Sequence, residues 1–203
     1  MLGLLFTTTK EAGSFVGPYT DRRPDSLDEE TPIQTDDLLI AVTGQGKIKA
    51  TLATERLLRT HDVDVVLHAG TCTALTDDVS PATVVGATFV LEGDRVELDA
   101  PTYPRMPLEC PYDVEVEGTL VSQDHVTGDS EERSYWERIA DVRDETGYAV
   151  AYVAAQHGTP CHIAKAVRGR EDQTNTPTAD EEALRALGSF LEGVGADQAT
   201  SEQ

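Results

Sequence analysis

Mostly apolar runs of strand length alternate with helix-forming stretches along most of the chain, and this alternation constrains the fold more than any other feature. The runs cover residues 2–6, 38–42 and 63–67, and residues 160–167 form a fourth predicted strand. None of them shows the regular polar alternation of a half-exposed sheet. Strands of this kind are buried on both faces, most often in parallel sheets that helices cover. The pattern therefore predicts an α/β fold.

Three helical stretches lie between or after these strands. Helices are predicted over residues 47–59, over residues 129–156 with a break near Asp144, and from a Thr-x-x-Glu capping box at residues 178–181 onward. The side chains expected to face the core from the first of these helices are Ile48, Leu52 and Leu58.

The middle of the chain has a different pattern. Residues 83–98 are predicted as a hairpin that turns at residues 92–94, and residues 100–114 contain four prolines and are predicted to be irregular. We find no internal repeat. Residues 1–196 are therefore expected to form a single domain, and residues 197–203 a frayed tail.

The chain is strongly acidic, because 37 Asp and Glu residues against 16 Lys and Arg give a formal net charge of −21 over 203 residues. Nucleic acids and anionic membranes are both bound through clusters of Lys and Arg, so both partners are excluded. No apolar run reaches the roughly 20 residues of a membrane span, the N-terminus lacks signal-peptide features, and the three cysteines show no C-x-x-C spacing. We expect a cytoplasmic protein. Acid spread along the whole chain predicts salt adaptation, with an ordinary acidic protein as the alternative.

One segment with possible chemistry is Gly44-Gln45-Gly46-Lys47, which lies between a predicted strand and a predicted helix. The amino end of a helix can bind an anion through its free N–H groups. The spacing is neither that of a P-loop nor that of a dinucleotide-binding turn. An anion site and a simple turn both remain open here.

Two further candidates follow the first and third strands. The hydroxyl groups of Thr71 and Thr73, next to Gly70, suit ribose or phosphate oxygens, although a plain turn would contain the same residues. Glu11 follows the first strand and is a candidate general base, with an ordinary surface acid as the alternative. Cys72 is interpreted as a small buried residue. The five histidines lack metal-ligand spacing, so we expect no metal and no cofactor.

Four stretches taken together resemble the nucleoside phosphorylase and nucleosidase superfamily, which includes methylthioadenosine/adenosylhomocysteine nucleosidase and futalosine hydrolase. They are LGLLFTTTKEAG, LLIAVTGQGKIKATLATERLL, VDVVLHAGTCTAL and ETGYAVAYVAAQHGTPCHIAKAV. Each motif is weak alone, but the four occur in the family's order and spacing over most of residues 1–170.

The resemblance implies a three-layer α/β/α domain with a central mixed, mostly parallel sheet. It implies cleavage of the N-glycosidic bond of a small-molecule nucleoside, through an oxocarbenium-like sugar. Such a reaction needs a nucleophile, a carboxylate near the ribose and an acid for the leaving base. The resemblance also implies a homo-oligomer, either a dimer or a trimer of dimers.

The resemblance assigns roles to several residues. Glu11 corresponds to the acid that orients the water nucleophile, and Gly70 and Thr71 correspond to the turn that lines the ribose and nucleophile sites. His125 and Val126 correspond to the segment that packs on the base, where Val126 replaces the usual aromatic residue.

Two departures from the family pattern affect the catalytic positions. The ribose-binding glutamate falls on Thr146, and the base-protonating aspartate falls on Gly169, with Glu171 and Asp172 close by. Glu145 precedes Thr146, but one residue along a helix rotates a side chain by about 100°. Glu145 is therefore a candidate catalytic residue only if the helix starts later or is distorted, and Thr146 stays a candidate for substrate binding.

Three functions follow from these matches and departures. The leading hypothesis is a nucleosidase-like hydrolase, because the phosphorylases' N-terminal Gly-Asp-Pro motif and its arginine are missing and His68 replaces a second phosphate-binding arginine. The second is a catalytically degenerate nucleoside- or nucleotide-binding protein on the same fold. The third is a phosphate-dependent phosphorylase or transferase with an unfamiliar anion site.

Overall fold

Nine strands and five helices make up the part of the chain that the computed structural model describes, namely residues 1–17, 31–94, 104–125, 130–170 and 176–201. The strands are β1 (Leu2–Phe6), β2 (Ile33–Gln34), β3 (Leu38–Val42), β4 (Val65–Ala74), β5 (Val84–Glu92), β6 (Arg105–Pro107), β7 (Val116–Ser122), β8 (Val142–Asp144) and β9 (Cys161–Arg170). The helices are α1 (Thr9–Gly13), α2 (Lys47–Thr60), α3 (Ser130–Trp136), α4 (Gly147–His157) and α5 (Pro177–Ser201).

All of these strands belong to one mixed sheet. Its order is β2-β3-β1-β4-β8-β7-β5-β6, and β9 joins β4 to β5. Strands β4, β8, β7, β5 and β9 therefore close into a ring of five. The β1–β3, β1–β4, β4–β9, β5–β7 and β7–β8 pairs are parallel, whereas β2–β3, β4–β8, β5–β6 and β5–β9 are antiparallel. The predicted α/β class is confirmed, but the sheet is more antiparallel than expected and its three-layer arrangement stays a prediction.

Helix α5 covers part of the sheet with an apolar stripe. Leu187 and Leu191, one helical turn apart, are buried in the same cluster as Leu4 of β1, Leu67 of β4 and Ala166 of β9. Helices α2 and α4 share a second cluster with residues of β1, β3 and β4. None of the described helices is both long and apolar enough to cross a bilayer.

The buried face of α2 differs from the prediction. Ile48 and Leu52 are 77% and 65% exposed, and the face that packs on the protein carries Ala50, Thr54 and Leu57 instead. The sequence contains two apolar stripes on this helix, and periodicity alone does not tell which of them faces the core.

Three other boundaries also differ. Strand β4 continues through Gly70 to Ala74, so the predicted turn at this point is strand. The break expected near Asp144 is the short strand β8, which separates α3 from α4. Helix α5 starts two residues earlier than predicted, because the cap is Thr176 and not Thr178: the Thr176 hydroxyl accepts the N–H of Ala179 at 3.2 Å, and Pro177 is the first helical residue.

The predicted hairpin at residues 83–98 is also different. Strand β5 ends at Glu92, and its antiparallel neighbours are β9 and β6, the latter within the stretch that was expected to be irregular. Residues 95–103, which include the proposed second hairpin strand, lie outside the described residues.

Candidate active site

A cavity of about 250 Å³ lies where β1, β3, β8 and β9 end, beside α1 and α5. Its volume is close to the lower end of the roughly 300–1,000 Å³ typical of small-molecule sites. Polar and charged side chains line most of it. Among them are Thr8, Glu11, Thr71, Asp144, Glu145 and Arg168.

Glu11 is fixed at this cavity by two threonines. It is the third residue of α1 and forms a capping box with Thr8, whose backbone N–H and hydroxyl donate to Glu11 Oε2 at 2.9 and 3.1 Å. The backbone N–H and hydroxyl of Thr71 donate to Oε1 at 2.7 and 2.8 Å. The carboxylate is only 5% exposed. Glu11 and Thr71, predicted to follow the first and third strands of the sequence, are thus in direct contact.

These four hydrogen bonds occupy the lone-pair positions of the Glu11 carboxylate. Two of the donors are fixed backbone N–H groups, and the other two are hydroxyls that can rotate. A water molecule can therefore donate to Glu11 when the hydroxyl of Thr8 or Thr71 turns away. The arrangement keeps the carboxylate oriented, as a group that positions water must be.

Gly70 allows the approach of two charged groups. A Cβ atom at this position would stand 3.0 Å from Glu11 Oε1 and 3.2 Å from Lys165 Nζ. Both distances are shorter than ordinary van der Waals contact. A side chain at residue 70 would therefore push Glu11 or Lys165 out of place.

A buried charge network lies behind the cavity. Lys165 Nζ donates to Asp144 Oδ2 at 3.1 Å and to His68 Nε2 at 2.8 Å. Asp144 also accepts from the Ser122 hydroxyl at 2.6 Å and from the backbone N–H groups of Thr146 and Gly147 at the start of α4. Burial raises the pKa of Asp144, but Lys165 and these hydrogen bonds outweigh it, and the pKa is lowered. Asp144 is therefore an anion that caps α4.

His68 is neutral in this network. Its Nδ1–H donates to the carbonyl oxygen of Leu5 at 3.0 Å, so Nε2 is the acceptor for Lys165, and the Thr146 hydroxyl lies 2.9 Å from the same nitrogen. Burial and the adjacent Lys165 charge lower the pKa of His68 to about 3. A neutral histidine cannot replace a phosphate-binding arginine as a cation.

Glu145 lies before α4 and not within it. Thr146 is the N-cap residue, so the helical rotation between adjacent residues does not apply to Glu145. Its side chain is half-buried and lines the cavity. Burial and the neighbouring Asp144 carboxylate raise the pKa of Glu145. A catalytic role of Glu145 required a helix that starts later or is distorted. The later start is what the structure has, because α4 begins after Glu145.

The other predicted residues are placed less directly. Thr146 is fully buried and reaches the cavity through Thr7, whose hydroxyl is 2.9 Å from its own. His125 is exposed and is not among the side chains that line the cavity. Val126, Glu171 and Asp172 lie outside the described residues.

Arg168 is a cavity residue that the sequence analysis missed. Arg168 and Gly169 together oppose the single residue Thr73 of β4, and Gly169 has a φ of 151° that favours glycine. A basic residue directly after the buried part of a strand, in a chain with so few cations, is the signal that would have identified it.

The Gly44–Lys47 segment is a structural turn. The N–H of Lys47, the first residue of α2, donates to Asp124 Oδ1 at 2.9 Å. The Lys47 ammonium pairs with Glu92 and Asp94. Burial by itself lowers the pKa of Lys47. The two carboxylates outweigh burial, so the pKa is raised from its ordinary value. The Asp124 carboxylate already occupies the amino end of α2. The structure therefore favours a simple turn over a free anion site at this segment.

Cys72 is buried, as expected, and burial raises the pKa of its thiol far above the usual range. A thiol in this state is a poor nucleophile. Among the described residues, no cluster of His, Cys, Asp or Glu has the geometry of a metal site.

Solved structures with this fold include nucleosidases and a futalosine hydrolase. One is 5′-methylthioadenosine/S-adenosylhomocysteine nucleosidase from Helicobacter pylori with butyl-thio-DADMe-Immucillin-A, at 18% identity and a TM-score of 0.77 over 97% of both chains. A futalosine hydrolase mutant of Helicobacter pylori strain 26695 has 17% identity and a TM-score of 0.77, over 97% of this chain and 98% of that one. The Campylobacter jejuni 5′-methylthioadenosine/S-adenosyl homocysteine nucleosidase has 16% identity and a TM-score of 0.75, over 95% of this chain and 96% of that one.

The sequence itself matches the family model described as the phosphorylase superfamily over residues 31–195, which is most of the chain. This chain therefore belongs to the phosphorylase superfamily. No curated protein sequence matches it significantly.

Proposed function

We propose that this protein hydrolyses the N-glycosidic bond of a nucleoside, with water as the nucleophile. The observation that carries the proposal is the buried, four-fold hydrogen-bonded carboxylate of Glu11 at the wall of a cavity of about 250 Å³. Its orientation suits the positioning of a water molecule against a sugar carbon. The solved structures with the same fold support the proposal, since their names are those of nucleosidases and a futalosine hydrolase.

In the proposed step, the water oxygen bonds to the anomeric carbon while the bond from that carbon to the base nitrogen breaks. The bonding electron pair leaves with the base, and one proton of the water passes to Glu11. Glu145 lines the same cavity, and among the described residues no donor satisfies its carboxylate. We assign it to the sugar hydroxyls and to the positive charge that develops on the sugar. Thr71 holds the Glu11 carboxylate and Gly70 leaves room for it, while Thr146, bonded to Thr7 and His68, stays a candidate for substrate binding.

The proposal is tested by free-base release from a panel of nucleosides in molar KCl, with and without inorganic phosphate. We expect release without phosphate and a loss of about 10²–10⁴-fold in kcat for Glu11→Gln. Glu192→Gln, the same change on the exposed face of α5, is the matched control and should retain full activity. Turnover by Glu11→Gln at the parent rate would show that Glu11 has no such role, and strictly phosphate-dependent release would show phosphorolysis.

A second candidate is a nucleoside-binding protein without turnover. The observation that favours it is the pair of substituted positions, Thr146 in the network and Gly169 at the end of β9, neither of which supplies a carboxylate. Binding of a nucleoside with no release of base in the same assay would support this candidate over hydrolysis.

We also propose a homo-oligomer. Ile48 and Leu52 on α2 and Tyr152 on α4 are 77%, 65% and 48% exposed, and α2 packs beside α4. Apolar side chains in this arrangement are typical of a protein interface. Light scattering of the parent and of Leu52→Glu in molar KCl tests it, since a parent that is already monomeric would rule the oligomer out.

A further inference from the structure

Arg168 is a cavity residue whose guanidinium has no hydrogen-bond partner among the described residues. It makes no ion pair with any described residue either, and its Nε is buried without an acceptor. Buried donors in native proteins are nearly always paired with protein, water or a ligand. Arg168 therefore has donors available for a molecule bound in the cavity.

The acidic side chains of the cavity do not meet this need. Glu11 is held by Thr8 and Thr71, and Asp144 is held by Lys165 and by the start of α4. Glu145 lines the cavity and lies near enough for the Arg168 charge to counteract part of the rise in its pKa, but the two side chains form no ion pair. Asp180 pairs with Lys10 through Oδ2, and its Oδ1 is buried without a partner. The cavity thus offers unused donors at Arg168 and unused acceptors at Glu145 and Asp180.

An arginine side chain carries donors only, in a planar fork that suits two neighbouring acceptors. The edge of a 6-oxopurine offers two such acceptors, O6 and N7, whereas adenine offers the N6 amino donor next to N7. Sugar hydroxyls are donors that suit Glu145. A nucleoside with a 6-oxopurine base therefore complements both sets of unused groups.

We propose that Arg168 binds the O6/N7 edge of a 6-oxopurine base, so that the substrates are inosine- or guanosine-type nucleosides and not adenosine-type ones. This inference rests on the proposed function. Arg168 acts as a hydrogen-bond donor and transfers no proton. When the bond to the sugar breaks, the electron pair goes to the base, and Arg168 stabilises the resulting negative charge. The base then takes a proton from a water molecule, and the hydroxide that this leaves takes the proton held by Glu11.

Binding in molar KCl, measured by titration calorimetry with inosine, guanosine and adenosine, tests the inference without any need for turnover. We expect the parent protein to bind inosine or guanosine at least tenfold more tightly than adenosine. Arg168→Gln should reverse the preference, because a glutamine amide pairs with the N6 and N7 positions of adenine. Arg168→Lys keeps the charge without the fork and should lose the preference. Arg59→Gln, on the exposed surface of α2, is the matched control.

Every outcome decides the matter, provided that circular dichroism shows each variant to be folded. Equal affinity for adenosine and inosine, or a preference that Arg168→Gln leaves unchanged, would overturn the inference, while base release in the assay above would still uphold hydrolysis. If inorganic phosphate alone competes with inosine and Arg168→Gln abolishes phosphate binding, Arg168 is an anion site and not a base-binding residue. Failure of every nucleoside to bind would remove both the inference and the proposed function.

Discussion

The ion pair between Lys165 and Asp144 gives a sharp test of how this fold tolerates charge in its interior. Lys165 is 1% exposed and Asp144 is 8% exposed, so neither charge is compensated by water. Lys165→Met keeps the length of the side chain and removes the ammonium. Asp144 then retains the Ser122 hydroxyl and the N–H groups of α4, but it loses its only described cation within 4 Å.

Removing one partner of a buried ion pair costs about 3–5 kcal/mol, because the remaining charge is left without compensation. For a chain of this size, that cost lowers Tm by roughly 6–20 °C. Asp144→Asn should cost a similar amount, since it leaves the ammonium of Lys165 buried. The double variant has neither charge, so its cost should fall short of the sum of the two single costs by about 1–3 kcal/mol.

The pH dependence of the same variant follows from the direction of the pKa of Asp144. In the parent this pKa is lowered, so its contribution to stability is present above the unfolded value of about 3.9 and is lost as the pH falls through the folded value. Without Lys165, burial raises the pKa, and stability is lost as the pH rises through the raised value. The deficit of Lys165→Met should therefore be larger at about pH 8 than at about pH 5.

Urea unfolding at fixed KCl concentration measures these differences, with Lys10→Met as the matched control. Lys10 is 63% exposed and pairs with Asp180 at 3.2 Å, so its loss should cost no more than about 1 kcal/mol. Equally small losses of unfolding free energy for Lys165→Met and Lys10→Met would show that Lys165 does not stabilise the buried charge of Asp144. Additive losses for Lys165→Met and Asp144→Asn would show the same.

Three further results are expected. Gly70→Ala should cost about 1–3 kcal/mol in urea unfolding, because its Cβ would stand 3.0 Å from Glu11 Oε1, whereas Gly193→Ala, with open space around its Cβ, should cost nothing. His68 should keep the chemical shifts of a neutral Nδ1–H imidazole in nitrogen-15 NMR spectra from pH 8 down to pH 5, since its pKa is lowered to about 3, and a titration near pH 6.5 would contradict this. The Tm should rise steadily from low salt to molar KCl because the formal net charge is −21, and a flat profile would argue against salt adaptation.

Contacts between strand ends were predictable from the sequence. Strands β1 and β4 are parallel neighbours, with Phe6 opposite Ala69, so the residues that follow β1 meet the middle of β4. Continuous apolar runs fixed both strands, and the position of Glu11 against Thr71 follows from their pairing. The hydroxyl contacts of Thr8 are also local, because a Thr-x-x-Glu sequence at a helix start forms a capping box.

The charge network was not predictable in the same way, since it joins residues that are far apart in the chain. His68 and Asp144 are 76 positions apart, and Asp144 belongs to β8, which has three residues and no hydropathy signal of its own. Lys165 was visible as a lone cation inside a buried strand, and such a residue requires a buried anion. The sequence does not identify that anion, because 37 acidic residues are available as partners.

The two positions where the family resemblance leads us to expect a carboxylate, and where this chain has Thr146 and Gly169, are each preceded by a charged residue at the cavity. Glu145 precedes Thr146, and Arg168 precedes Gly169. Neither charged residue is held in regular geometry: Glu145 lies before the N-cap of α4, and Arg168 lies where two residues of β9 oppose one of β4. Side chains at such irregular positions are free of the 3.6-residue and two-residue periodicities that fix direction elsewhere. Loss of a carboxylate at residue 146 or 169 therefore does not by itself remove charge from the cavity. At the end of β9 the charge is now the cation of Arg168, and this change of sign would alter which base the cavity accepts.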